Sequence, residues 1–464
     1  VSDVPNDAGA LRRGLLWPAA ALAFAAALAS CGGGGGGSKP VPYTSPFTAQ
    51  PSSPATTSPV APGTKISHVV IVIQENRSFD NLFQGFPGAD TAPTGLTHTG
   101  STVTLQAVSF KAPYDVNHRL ADFLTSYDGG KMDGFDEVGH DGGPLGLGGQ
   151  APPNPQYAYV PASESAEYFA LAKRFVLADK MFSSQIDSSY SAHQYLIAAQ
   201  TGGTVDNPDL YPWGCDAPPE SIVPTLNSDR TEGPGVFPCF SYPTLADELD
   251  PDKLSWRYYA PPLTGNFAGS VWTAYDVIRP VRYGPDWANV VSPSSRFLSD
   301  VRGGSLANVS WVIPELADSD HPGSNSTTGP DWVSSIVNAV GNSKFWNSTA
   351  VFVVWDDWGG WYDHVAPPQI DVQGLGVRVP MIAISAYAKS GYVSHVSYET
   401  AGILKFTEAV FGLAPLYHAD ARANGFDDLF DFTKPPRAFS AFRVKVGARH
   451  FLRAKPSGLP PDND

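Results

Sequence analysis

Apolar positions along the chain follow two periods. Residues 68–73 (His-Val-Val-Ile-Val-Ile) form an almost unbroken β-branched run, and a run of this kind, rather than alternation, marks a strand covered on both faces. Residues 351–355 form a second such run and residues 379–385 a third. Between and after them, residues 164–174, 332–340 and 398–411 place apolar side chains three and four apart, the spacing of one helix face. Buried strands interleaved with helices predict an α/β fold with a central, mainly parallel sheet between helices. Two stretches break both periods. Residues 139–155 and 201–243 are rich in Gly, Pro and Asp and predict long insertions over the sheet. One domain over residues 66–440 is expected, followed by a tail over 441–464.

The first 65 residues follow neither period. Arg12 and Arg13 precede an apolar stretch over 15–29, shorter than the roughly 20 residues a membrane-spanning helix needs, which predicts a secretory signal over 1–30. Its end, Leu28-Ala29-Ser30-Cys31, resembles the lipobox of bacterial lipoproteins. That resemblance implies cleavage before Cys31 and a lipid on its thiol and new amino terminus. Residues 31–65, Gly-rich and then Ser/Pro/Thr-rich, are expected to be a tether. The expected location is the bacterial cell envelope or periplasm. Cys215 and Cys239, an even pair in an exported chain, predict one disulfide, the alternative being two free buried thiols.

Composition narrows the function classes. With 45 acidic against 30 basic side chains the formal charge is −15, which excludes generic nucleic-acid binding through clustered cations. The 42% apolar content and 11 Trp exclude disorder of the whole.

The most unusual polar groups follow the two most apolar runs, and ligands of such sheets sit beyond the strand ends. Gln74-Glu75-Asn76-Arg77-Ser78-Phe79-Asp80 follows the first, and Asp356-Asp357-Trp358-Gly359-Gly360-Trp361-Tyr362-Asp363-His364 the second. Adjacent carboxylates at the end of a buried strand repel one another unless a cation lies beside them. Glu75, Asn76, Asp356 and Asp357 together offer an all-oxygen set for one divalent ion, with Ca²⁺, Mg²⁺, Mn²⁺ and Fe all permitted. The plainer alternative is a pair of helix N-caps. Residues 183–193 are hydroxyl-rich and run into a helical stretch; composition alone reads them as a Ser-rich cap and leaves open which serine would attack. His118, His193, His321 and His364 lie in polar contexts suited to phosphate binding and proton transfer, whereas His68 opens a strand and is structural. No zincin helix, Walker loop or GxSxG elbow is present.

Residues 75–80, Glu-Asn-Arg-Ser-Phe-Asp, resemble a signature of the bacterial phosphoesterase family that holds phosphatidylcholine-type phospholipases C and related acid phosphatases. Further matches follow in the same order: His118 within 115–119, then 130–135, 187–193, Asp320-His321-Pro322, 356–368, and 377–380 running toward Ser385. The resemblance spans residues 66–415 and implies an alkaline-phosphatase-like fold. It also implies a metal held by Glu75, Asn76, Asp356 and Asp357, and a hydroxyl nucleophile at Ser189. The phospholipase branch carries Thr there in a Gly-Pro-Thr setting; Asp187-Ser188 replaces Gly-Pro here, so Ser188 remains an alternative. His118, His321 and His364 match positions implied in phosphate contact or proton transfer. His193, Asp320 and Asp363 form a second tier.

Phospholipase C members often have Asp-Glu at 356–357 and further C-terminal modules. The Asp-Asp pair and the shortness of the chain beyond the matched region lean toward an acid-phosphatase-like enzyme for small phosphate esters. The alternatives are a phospholipase C acting on phospholipid head groups and, from another class, a non-catalytic lipoprotein that captures phosphorylated ligands.

Overall fold

The computed structural model describes residues 65–141 and 150–455. The signal read over 1–30, Cys31 and all but the last residue of the tether lie outside the described residues. Eight strands form the central sheet: β1 His68–Gln74, β2 Val176–Ala178, β3 Trp256–Tyr259, β4 Val290–Val291, β5 Val309–Val312, β6 Thr349–Trp355, β7 Met381–Ser385 and β8 Tyr392–Ser394. Their spatial order is β4-β3-β5-β1-β6-β7-β2-β8. Every pairing is parallel except those of β7, which runs antiparallel to both β6 and β2.

Register explains the unbroken apolar runs. Ile71 lies level with Trp311 of β5 and Phe352 of β6, so the three side chains share one face. There the Trp311 indole donates to Leu196 O of α3 (Ser189–Ala198), and Phe352 meets Phe406 of α5 (Gly402–Phe411) edge-on at 5.1 Å. Trp355, three residues beyond Phe352, points to the other face and meets Tyr168 of α2 (Ala166–Arg174) at 4.9 Å. On that side α2 packs with α4 (Gly329–Gly341) and, through Phe169, with Phe83 of α1 (Phe79–Phe83). The sheet is therefore covered by helices on both faces, and all seven residues of β6 are buried. Each such Val or Phe contributes about 1.5–3 kcal/mol relative to exposure.

The helical period over 398–411 resolves into two elements. Tyr398–Glu399 pair with Met181–Phe182 as a short parallel strand, and the helix starts only at Gly402. The Ser184 hydroxyl accepts from Ala401 N and the Thr400 hydroxyl, holding the bend between them. In the 201–243 insertion Val223–Leu226 and Glu232–Val236 form a hairpin, and Cys215 and Cys239 are disulfide-bonded with Cα atoms 4.6 Å apart. Part of the stretch read as a tail packs on the domain: Phe442 and Phe451 are buried, Phe451 against Trp332 at 5.2 Å. No helix among the described residues is long and apolar enough to cross a membrane.

Candidate active site

The parallel pairing of β1 and β6 runs to its last rung, Gln74 with Trp355, so both polar clusters leave the sheet side by side. Backbone bonds carry the alignment past the strand ends: Asp356 N donates to Gln74 O at 3.0 Å and Arg77 N to Asp357 O at 3.1 Å. Asn76 N donates to Asp356 Oδ1 at 3.0 Å. Asn76 itself has φ of 59°, a left-handed conformation, and Gly359 packs onto it. A Cβ at Gly359 would lie 2.4 Å from Asn76 O. Only glycine fits there, so Gly359 is what lets the two clusters close on each other.

Ser189 is the first residue of α3, with Ser188 as its N-cap. The Ser189 hydroxyl lies 3.1 Å from Asp357 Oδ2 and 3.4 Å from Asn76 Oδ1. The Ser188 hydroxyl is buried and has no hydrogen-bond partner among the described residues. The Asn76 amide bridges onward, its Nδ2 donating to His118 Nε2 at 3.0 Å, while His118 Nδ1 donates to Val116 O at 2.9 Å. His118 Nε2 is 3.8 Å from Asp357 Oδ2. His321 Nδ1 lies 2.7 Å from Pro322 O and 3.6 Å from Asp115 Oδ2, and His321 is within electrostatic reach of Asp357.

One helical turn below Ser189, His193 Nε2 approaches Glu75 Oε1 at 3.0 Å and Asp356 Oδ2 at 3.7 Å. The ligand atoms of Glu75, His193 and Asp356 all lie within 4.8 Å of one another. Burial, and then the charge of Asp356, push the carboxyls of Glu75 and Asp357 well above the usual range. Burial pulls His193 down to about 4. Glu75 Oε2 and Asp356 Oδ2 are buried and accept no hydrogen bond from an N–H or hydroxyl among the described residues. A donor set of crowded, buried carboxylate oxygens fits a divalent cation.

Two second-tier residues are held by partners other than the Ser189 cluster. Asp320 Oδ2 accepts from Tyr168 OH at 2.6 Å, and Asp320 O takes the Arg77 guanidinium at 2.6 and 3.0 Å, so Asp320 anchors the loop after β1 from below. Asp363 accepts Arg378 Nε at 2.8 Å. His364 belongs to that same cluster: its Nδ1 is 2.6 Å from Asp80 Oδ2 and its Nε2 3.1 Å from Asp90 Oδ1. The residues expected at the site thus divide. Glu75, Asn76, His118, Ser189, His193, Asp356 and Asp357 converge, with His321 beside them, whereas His364 and Asp363 sit in an ion-paired network around Arg378. Gly359 and the Asp80–Arg378 pair were not singled out from sequence. The close approach at Gly359 has no local signal, but His193 is detectable as the residue four on from Ser189.

A profile of the Phosphoesterase family matches residues 66–414. The chain belongs to the phosphoesterase family. As a phosphoesterase it is a hydrolase acting on phosphoric ester bonds. It is 26% identical over 443 residues to Phospholipase C B of Mycobacterium tuberculosis, covering 80% of this chain and 79% of that protein. It is 25% identical over 410 residues to the Non-hemolytic phospholipase C of Pseudomonas aeruginosa, covering 75% of this chain and 54% of that one. Among solved structures, a protein in the alkaline phosphatase superfamily from Vibrio parahaemolyticus aligns at 10% identity with a TM-score of 0.39, over 80% of this chain and 70% of that chain.

Proposed function

We propose that this phosphoesterase hydrolyses small phosphate esters through Ser189, assisted by one divalent cation held by Glu75, Asn76, Asp356 and Asp357. The observation that carries the reading is the Ser189 hydroxyl, 3.1 Å from Asp357 Oδ2 at the N-terminus of a ten-residue helix. The positive end of that helix favours an incoming phosphoryl group. A divalent cation held there supplies charge for the phosphoryl oxygens and acidifies the serine hydroxyl.

In this reading Ser189 Oγ attacks phosphorus and passes its proton to the Asp357 carboxylate. The bond from phosphorus to the leaving oxygen breaks, and that oxygen takes a proton from His321, because His118 Nε2 already accepts from Asn76. Water then attacks the phosphoserine and passes a proton to the histidine that had protonated the leaving oxygen, the bond between Oγ and phosphorus breaks, and Oγ recovers its proton from Asp357. The Asn76 amide holds Ser189 and His118 in one hydrogen-bonded line. Ser189 is only 4% exposed, which favours a small ester. A second reading, cleavage of phospholipid head groups, is favoured by the relatives, which are named phospholipases C. The Cys215–Cys239 disulfide supports an exported location, with Cys31 as the proposed lipid attachment.

Turnover of a chromogenic phosphomonoester beside a phosphocholine diester, with and without chelator, tests both. Faster monoester turnover that the chelator abolishes supports the first reading; diester preference moves the assignment to the second. Undiminished turnover without metal would remove the cation from the account.

A further inference from the structure

Glu75, Asn76, Asp356 and Asp357 are an oxygen-only set, but the structure adds a nitrogen. Ser189 and His193 are four residues apart on α3, so both side chains leave the same face of the helix. Ser189 reaches Asn76 and Asp357, and His193 reaches Glu75 and Asp356.

Two donors each about 2.1 Å from one ion lie about 3 to 4 Å apart. The 3.0 and 3.7 Å separations of His193 Nε2 from Glu75 Oε1 and Asp356 Oδ2 fall in that interval. A hydrogen bond between His193 and Glu75 would account for one oxygen and leave Glu75 Oε2 and Asp356 Oδ2 buried and, among the described residues, without an N–H or hydroxyl donor. The Trp272 ring lies nearly parallel to the imidazole, 6° off with centroids 6.5 Å apart, and the imidazole Nδ1 has no hydrogen-bond partner among the described residues. His193 is itself 1% exposed, so its imidazole lines the interior of the site.

We propose that His193 Nε2 is a direct ligand of the divalent cation, making the donor set mixed nitrogen and oxygen. This rests on the reading of a cation at these carboxylates. Imidazole suits borderline transition ions, whereas Ca²⁺ and Mg²⁺ take oxygen. The site therefore selects Mn²⁺, Fe²⁺ or Zn²⁺ over Mg²⁺ and Ca²⁺.

The test uses the whole chain freed of metal and loaded with Mn²⁺ or Mg²⁺ alone. Affinities come from calorimetry, and the Mn²⁺ form is examined by pulsed electron paramagnetic resonance for coupling to an imidazole nitrogen. Wild type is expected to bind one Mn²⁺ with nitrogen coupling. His193→Gln loses that coupling and about tenfold or more of its preference for Mn²⁺ over Mg²⁺, while His118→Gln keeps both. Mn²⁺ bound without nitrogen coupling overturns the inference and leaves a cation on oxygen ligands alone. Coupling that survives His193→Gln and vanishes in His118→Gln also overturns it. If neither ion binds, the cation reading itself falls and this inference with it. Should His193→Gln not fold, coupling in both wild type and His118→Gln supports the assignment, and its absence from wild type refutes it.

Discussion

Ser189 Oγ and Asp357 Oδ2 lie 3.1 Å apart, although 168 residues separate them in the chain. The contact joins the N-terminus of α3 to the end of β6, and it gives a candidate nucleophile a carboxylate within hydrogen-bond reach.

Replacing the carboxylate without changing its shape tests that contact. Asp357→Asn keeps an acceptor oxygen for Ser189 but removes the charge, and turnover is expected to fall by about 10²-fold or more with the fold intact. Asp356→Asn is expected to lower both turnover and bound metal, measured by elemental analysis of protein purified without chelator. Unchanged metal content in Asp356→Asn would make that carboxylate purely structural.

Gly359→Ala probes the closure of the two polar clusters. The new Cβ would meet Asn76 O at 2.4 Å, and Gly359 has φ of 58°. A loss of about 1–3 kcal/mol in denaturant unfolding is expected, together with reduced turnover, because Asn76 must move. Wild-type stability and activity would show that this approach constrains nothing.

The network around Arg378 makes stability depend on pH. Burial disfavours protonated His364, but the hydrogen bond and charge of Asp80, aided by Asp363, outweigh it and raise its pKa above 6.5. The folded chain therefore binds this proton more tightly than the unfolded chain. The stabilisation is complete below the ordinary value of 6.5 and disappears as pH rises through the raised value. The difference in Tm between wild type and His364→Gln is expected to shrink with rising pH across this window. A difference that grows instead would refute the assignment.

The disulfide closes a loop between residues 24 apart in sequence. Cys215→Ser with Cys239→Ser is expected to cost about 3 kcal/mol in urea unfolding, on the chain-entropy account. A negligible change would mean that the insertion is held by its other contacts, such as Arg230 donating to Asp371 O and Val372 O.

The legible parts of the fold are those where burial alone dictates sequence. β1 and β6 read directly because strands covered on both faces need unbroken apolar runs. The direction of β7 does not read, since Met381–Ser385 is as apolar antiparallel as it would be parallel. β4 is two residues long, too short for any period. That Glu75, Asn76, Asp356 and Asp357 would meet was legible because they follow those two strands immediately. What holds His364 was not legible, because its partners come from elsewhere in the chain: Asp80 of the short helix after β1 and Arg378 before β7. His193 entered the site through the helical phase set by Ser189, which becomes definite only once the start of α3 is known.

In the proposed reaction Ser189 carries the phosphoryl group. Acid quenching during turnover of a phosphomonoester, followed by peptide mass spectrometry, tests it most directly. The account predicts a phosphoryl adduct on Ser189 in wild type, and neither adduct nor turnover in Ser189→Ala. An adduct on Ser188, or wild-type turnover in Ser189→Ala, would contradict it.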